Sequence, residues 1–389
     1  MASKKKSNKK NTTSRTTKKA VKAVSKSKGL IVLVVIIAIL AGLFLAEEYF
    51  IGWLGIFDKD DGHTDPPPYL AGDLAIHFLE LGNEYTGDST LIDIGDVEIL
   101  IDAGSKRNSA DTITDYISKY CDDGILEYVI ATHAHEDHIA AFVGNNGANK
   151  GVFDKFKCEK IIDFGEQTNS TSGIYSDYVT KRTAEIAAGA EYYTALECWN
   201  ESKEGAQKAY QITEDITLNI LYQKFYEEST SNENNYSVCV LITQGTRNYL
   251  FTGDLEKAGE ESLVASNDLP KCTLFKAGHH GSATSSNSAL MSVIQPEIVC
   301  VCCCAGSSQH GTGPTTFPTQ AFIDRVGIYT DKIYVTTLMN NYSTGDYESM
   351  NGNIIVSSDG VTVTVTCSNN NTILKDTDWF KANRIWPSG

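Results

Sequence analysis

"ATHAHEDHIAAF", residues 131–142, is the stretch whose reading decides the fold. It places three of the chain's 8 histidines, together with Glu136 and Asp137, between His133 and His138. A buried imidazole is polar and needs a partner, and clustered imidazoles compete for the same ones. A bound cation gives all of them one. The preceding "LEYVIATH" (126–133) has the apolar, β-branched character of a strand, so the cluster stands where a strand ends.

Two further groups have the same placement. Asp254 follows "YLFTG", and His279-His280 follows "TLFKAG". Side chains just past strand ends stand on rigid supports and can converge at one sheet edge. Imidazole with carboxylate suits zinc, manganese or iron, and six or seven such groups exceed the needs of one tetrahedral ion. Two divalent ions about 3.5–4 Å apart would use them, with Asp254 the natural bridge because a carboxylate has two oxygens. Water on such an ion has its pKa drawn toward about 7 and supplies hydroxide at neutral pH, so the chemistry expected is hydrolysis. The plain alternative at each position is a polar turn with no ligand role.

Around these clusters the pattern alternates. Strands are predicted at 74–81, 89–95, 97–104, 126–133, 160–165, 216–223, 237–245, 248–254 and 272–280, with helices at 110–124 and 255–266. Further helix–strand pairs are expected in 288–304 and 319–337, and a final hairpin at 353–367. This mixture is α/β, with sheets inside and helices outside.

The ordered set HxHxDH, Thr-Gly-Asp and a later histidine resembles the metallo-β-lactamase fold superfamily. "FLELGNEYTGDSTLIDIGDVEILIDAG" (78–104), "NNYSVCVLITQGTRNYLFTGD" and "GHHGSATS" are similar to the branch found in the ComEC/Rec2 competence proteins, over roughly residues 73–367. The resemblance implies an αββα sandwich and assigns roles. His133 and His135 would hold the first ion, Asp137 and His138 the second, Asp254 would bridge, and His280 resembles the last ligand. Zinc is expected first and manganese second. His279 would face the substrate as phosphate contact or acid, though the two histidines could exchange roles. With Asp137 and Asp254 it forms the expected catalytic set. Gly281 and Ser282 would cup an anionic oxygen, Asn235 and Ser237 match polar positions near the site, and Asp102 would orient a ligand histidine. The chain also departs from the branch. No histidine lies between His138 and Asp254 to complete the first ion. Phe317 stands where a histidine is usual, with His310 seven residues earlier as a stand-in or an ordinary exposed residue. Glu80 replaces an aspartate.

Charge and hydropathy place this domain in the cell. Residues 1–28 hold 11 of the 33 Lys+Arg and no acid, a composition that cannot bury enough apolar surface to fold alone. The remainder carries 22 basic against 49 acidic residues, a net of −27. "LIVLVVIIAILAGLFLA" (30–46) is 17 residues without a charge. That length reads as a single-pass anchor, residues 29–50, with the basic head in the cytoplasm and the acidic bulk outside; a cleaved signal peptide is the rival. Residues 51–72 form a linker, 73–367 the hydrolase domain and 368–389 a C-terminal tail. The 10 cysteines show no ribbon spacing, and "VCVCCCAG" (299–306) reads as a buried strand using Cys as a small apolar residue.

The function expected is a membrane-anchored, extracytoplasmic two-metal phosphodiesterase acting on nucleic acid or another phosphodiester. The −27 charge opposes tight binding of a long polyanion, and Lys150, Lys155, Lys157 and Lys160 form only a loose basic group. The alternatives are hydrolysis of a β-lactam, lactone or thioester carbonyl on the same fold, and a surface binding module that keeps the cations as structure.

Overall fold

Three short strands open the described chain because "LAIHF", "STLID" and "EILIDA" bury every side chain: β1 (Leu74–Phe78), β2 (Ser89–Asp93) and β3 (Glu98–Ala103). They run antiparallel. The computed structural model describes residues 74–145 and 147–387. Helix α1 (Ala110–Ile117) then crosses to β4 (Ile125–Ile130), and α2 (Glu136–Val143) leads on to β5 (Lys157–Asp163). Helix α3 (Gly173–Ala187) returns to β6 (Glu191–Thr194). From β3 to β6 the strands are parallel.

The second sheet is built from β7 (Ala209–Gln211), β8 (Ile216–Leu221), β9 (Cys239–Gln244), β10 (Arg247–Phe251), β11 (Leu274–Lys276), β12 (Ile298–Ala305), β13 (Ile333–Asn341) and β14 (Asp346–Ser349), in that spatial order. β10 to β13 are parallel and are connected through α4 (Lys257–Ser266), α5 (Ser288–Ile294) and α6 (Gln320–Val326). The last hairpin, β15 (Ile354–Ser358) and β16 (Val363–Cys367), goes back to the first sheet. There β15 pairs antiparallel with β1, which makes both sheets eight-stranded.

The cysteine-rich strand shows how the layers pack. In β12 the side chains of Cys300 and Cys302 join the core between the sheets, while Val299, Val301, Cys303 and Ala305 face the outer helices. Alternate residues thus serve two apolar layers, which is why the strand reads as an unbroken apolar run. All ten cysteines are free, and nine are buried. Phe78 of β1 stacks on Phe251 of β10 across the sandwich, with ring centres 6.3 Å apart. Helices α1, α2 and α3 lie on the first sheet and α4, α5 and α6 on the second, which gives the αββα order expected.

The expected tail at 368–389 is corrected. Leu374 is fully buried, α7 (Asp378–Asn383) buries Phe380, and both join the core under the second sheet. Thr377 caps α7 by accepting from the Phe380 N–H, and Arg384 reaches the carbonyls of Thr316 and Pro318. The asparagine-rich run 368–372 before α7 is fastened as well. Asn351 is fully buried, accepts from Val335 N and donates to the carbonyls of Asn370 and Thr372, which fastens the segment to β13. The basic head, the apolar segment 29–50 and the linker 51–72 lie outside the described residues. Among the described residues no helix is long and apolar enough to cross a membrane.

Replacing Phe380 with Ala is therefore expected to cost about 3 kcal/mol or more of unfolding free energy in denaturant titration. An unchanged midpoint would show that the C-terminal helix is not docked.

Candidate metal centre

The ligand candidates stand at one edge of the sandwich. β4 ends at Ile130 and runs through Thr132 into the histidine turn, whose last three residues, Glu136 to His138, already belong to α2. Asp254 lies three residues past β10, and His279 and His280 occupy the turn after β11. Parallel strands deliver all three at their C-terminal ends, where α/β proteins place their sites. The backbone is unusual at this edge. Asp102, His279 and His280 are left-handed at φ 60°, 48° and 53°. Each such residue costs on the order of 1–3 kcal/mol and persists only where its surroundings fix it.

Two glycines let the loops close. A Cβ on Gly104 would lie 1.6 Å from the Asp137 carbonyl oxygen, so only glycine allows the end of β3 to rest on the HxHxDH turn. Gly253, at φ +52°, fits between Ser237 and Thr132, and a Cβ there would meet the Ser237 hydroxyl at 2.8 Å. The Asp-x-Gly and Thr-Gly-Asp patterns are thus close-approach requirements.

Asp254 lies at the middle. Its Oδ2 is 3.2 Å from His138 Nε2, 3.4 Å from His280 Nε2, 3.7 Å from His279 Nε2 and 4.0 Å from His133 Nε2. His280 Nε2 is 3.6 Å from Asp137 Oδ2, and His133 Nε2 is 3.0 Å from His135 Nδ1. His133, His138, Asp254 and His280 are buried, whereas His135 and Asp137 are half-exposed. The Nε2 atoms of His138 and His280 and Oδ1 of Asp254 are buried with no directed hydrogen bond to protein. Two imidazole nitrogens and a carboxylate oxygen left unpartnered around one point fit a divalent cation. Asp88, His138, Asp254 and His280 bring donor atoms within 4.8 Å of one another.

The electrostatics agree. Burial would raise the pKa of Asp254, but His138, His280 and His279 outweigh it and hold the carboxyl well below its usual range. Burial opposes charge on His138 too, yet Asp254 and Asp102 pull it well above the ordinary value, and Asp88 and Asp254 do the same for His280. His133 goes the other way, held low by burial and by the neighbouring His138. A neutral imidazole beside it is the form that coordinates, and a cation would take the place of the protons that otherwise balance the carboxylates.

Supporting groups surround this centre. Asp102 receives Thr132 N and Thr132 Oγ1 and lies 2.7 Å from His138 Nδ1. That contact leaves Nε2 facing Asp254. Ser237 lies beneath the site: it is fully buried and its hydroxyl accepts from Asp254 N at 3.0 Å. Asn235 is likewise nearly buried, with Oδ1 accepting from Glu256 N. His279 is the more open of its pair, with 21% of its side chain exposed against 1% for His280. It faces Glu256 at 3.6 Å, Asn234 and Thr284. Gly281 gives its carbonyl to Thr319, and Ser282 pairs with Thr284 at 3.1 Å. His310 is exposed and stacks on Phe317, ring centres 5.3 Å apart.

Sequence reading missed Asp88, Lys276, Glu256 and Glu233. Glu233 accepts from Ala134 N and from Thr168 and Asn169, tying the histidine turn to two outer loops. The signal for Lys276 was a lone lysine in an apolar strand three residues before the histidine pair.

Residues 82–144 match the metallo-beta-lactamase superfamily. The chain is 28% identical over 109 residues to Recombination protein 2 of Haemophilus influenzae, covering 28% of this chain and 13% of that protein. It is 26% identical over 172 residues to ComE operon protein 3 of Bacillus subtilis, covering 44% and 19%. It is 32% identical over 114 residues to Competence protein ComA of Neisseria gonorrhoeae, covering 29% and 16%. Residues 82–144 thus match the metallo-β-lactamase superfamily, and these relatives are proteins named for recombination and competence. Members of the superfamily are metal-dependent hydrolases. The matched stretch is less than a fifth of the length of each relative, so what their remaining parts do does not transfer with it.

Gly104→Ala is expected to force the HxHxDH turn away from β3. Equilibrium dialysis against zinc should show weakened binding, and the melting temperature should fall. Wild-type values for both would mean that the close approach of Gly104 and Asp137 is not needed.

Proposed function

We propose that this chain is a membrane-anchored phosphodiesterase whose metallo-β-lactamase domain works outside the cytoplasm on nucleic acid or another phosphodiester. The observation that carries the catalytic part is the convergence of His133, His138, Asp254 and His280, with unpartnered nitrogens and oxygens facing one another. Relatives named for recombination and competence support nucleic acid as the substrate. The uncharged run 30–46 after a basic head supports the anchor.

The geometry supports the following roles. His133, His135 and Asp254 would hold one ion, and Asp137, His138, His280 and the same Asp254 the other. Bound there, divalent zinc or manganese supplies Lewis acidity toward phosphate oxygens and acidifies water at neutral pH. Asp254, ionised and central, serves both positions. Asp137, reachable from solvent, can orient the attacking water. His279 stands at the open side with Glu256 behind it, placed to carry a proton to the departing oxygen or to clamp phosphate. Ser282 and Thr284 add hydroxyls beside it.

The test is hydrolysis of bis-p-nitrophenyl phosphate, single-stranded DNA and nitrocefin by the full-length chain with added zinc or manganese. Turnover of the phosphodiesters and not of nitrocefin is expected, with Asp254→Ala reducing it at least about 10³-fold. Nitrocefin turnover alone would move the assignment to a carbonyl hydrolase. Cation binding without turnover of any of the three would make the domain a binding module.

A further inference from the structure

Lys276 is the last residue of β11 and is almost wholly buried, as is Asp88, which stands just ahead of β2 in the other sheet. Their side chains form an ion pair across the sandwich, beneath the metal centre. Asp88 does more than neutralise the lysine. Its Oδ1 is 3.1 Å from His280 Nδ1 and its Oδ2 is 3.8 Å from His138 Nδ1. Its backbone N–H donates to the Asp137 carbonyl at 3.0 Å, and its own carbonyl accepts from Gly104 N at 2.8 Å. One residue therefore touches the supports of three ligands.

The two histidines that flank Asp254 are backed differently. His138 has Asp102, a carboxylate whose other partners are the neutral Thr132 N–H and hydroxyl. His280 Nδ1 has its directed hydrogen bond with the Cys302 carbonyl at 2.9 Å, and Asp88, whose charge is shared with Lys276, stands beside the same nitrogen at 3.1 Å. A carboxylate on Nδ1 fixes the tautomer with Nε2 free and makes that nitrogen a better donor. A lysine on the same carboxylate draws negative charge away and weakens the effect.

Resting on the metal-centre reading above, we infer that Asp88 and Lys276 are a positioning pair. With the Cys302 carbonyl fixing the ring, the Asp88 charge beside Nδ1 strengthens His280 Nε2 as a donor, and Lys276 sets by how much. A buried ion pair is a poor source of stability, since a matched apolar or neutral replacement is often as stable, whereas removing one partner alone is costly. Function is the better reason for this one.

The experiment measures zinc affinity of the full-length chain by competition with a chromophoric chelator, and the melting temperature of the zinc-free protein, for wild type, Asp88→Asn, Lys276→Met and the double variant. Asp88→Asn should weaken zinc binding about 10–100-fold. Lys276→Met should lower the melting temperature yet bind zinc at least as tightly as wild type. The double variant, free of unpaired charge, should regain most of the melting temperature and keep the weakened zinc binding. Recovery of affinity together with melting temperature in the double variant would make the pair merely structural and overturn the inference. Wild-type affinity in Asp88→Asn would do the same. A wild-type chain that binds no zinc would overturn the metal centre itself, and the inference with it.

Discussion

The site depends on one arrangement, an ionised Asp254 buried among the imidazoles of His133, His138, His279 and His280. Placing a carboxylate where it has almost no contact with water is costly unless positive charge stands beside it. The protein supplies that charge chiefly through histidines, and two of these keep buried nitrogens without directed partners. A divalent cation removes both costs at once. The rest of the edge exists to bring these groups together, since they come from three loops on two sheets.

That requirement explains features that otherwise look like local oddities. Asp102, His279 and His280 hold left-handed backbone without being glycine, and Gly104 and Gly253 are glycine because other chain passes within contact distance. Ser237 under Asp254, Glu233 under Ala134 and the clamp of Arg325 on the carbonyls of Ser285 and Ser286 pin the loops from behind. Strain at the ligands is offset by ordered hydrogen bonds around them, the usual division in a site where geometry must be fixed before the substrate arrives.

Much of this was legible in the sequence, and for definable reasons. Strands buried on both faces, such as β12, read as continuous apolar runs, and a turn dense in histidine has little use in a fold except to hold a cation. Helix α3 was not legible, because its described buried residues are only Tyr178 and Arg182 and its pattern is mostly polar. The C-terminal helix was hidden behind the polar run "SNNNT" at 368–372, although Leu374 and Phe380 complete a core. Within the site, residue types that converge across sheets could be named, but which side of them faces substrate could not. Ser237 and Asn235 matched polar positions and hold the backbone N–H groups of Asp254 and Glu256, while Asp88 and Lys276 were one acid in a turn and one lysine in a strand. Only the packing of one sheet on the other brings those two together.

X-ray absorption at the zinc edge on the full-length protein would address the metal centre directly. The account predicts nitrogen and oxygen neighbours at about 2.0–2.2 Å with imidazole scattering, and no sulfur, despite ten cysteines in the chain. A shell dominated by sulfur at about 2.3 Å, or zinc that washes away at stoichiometric concentration, would contradict it.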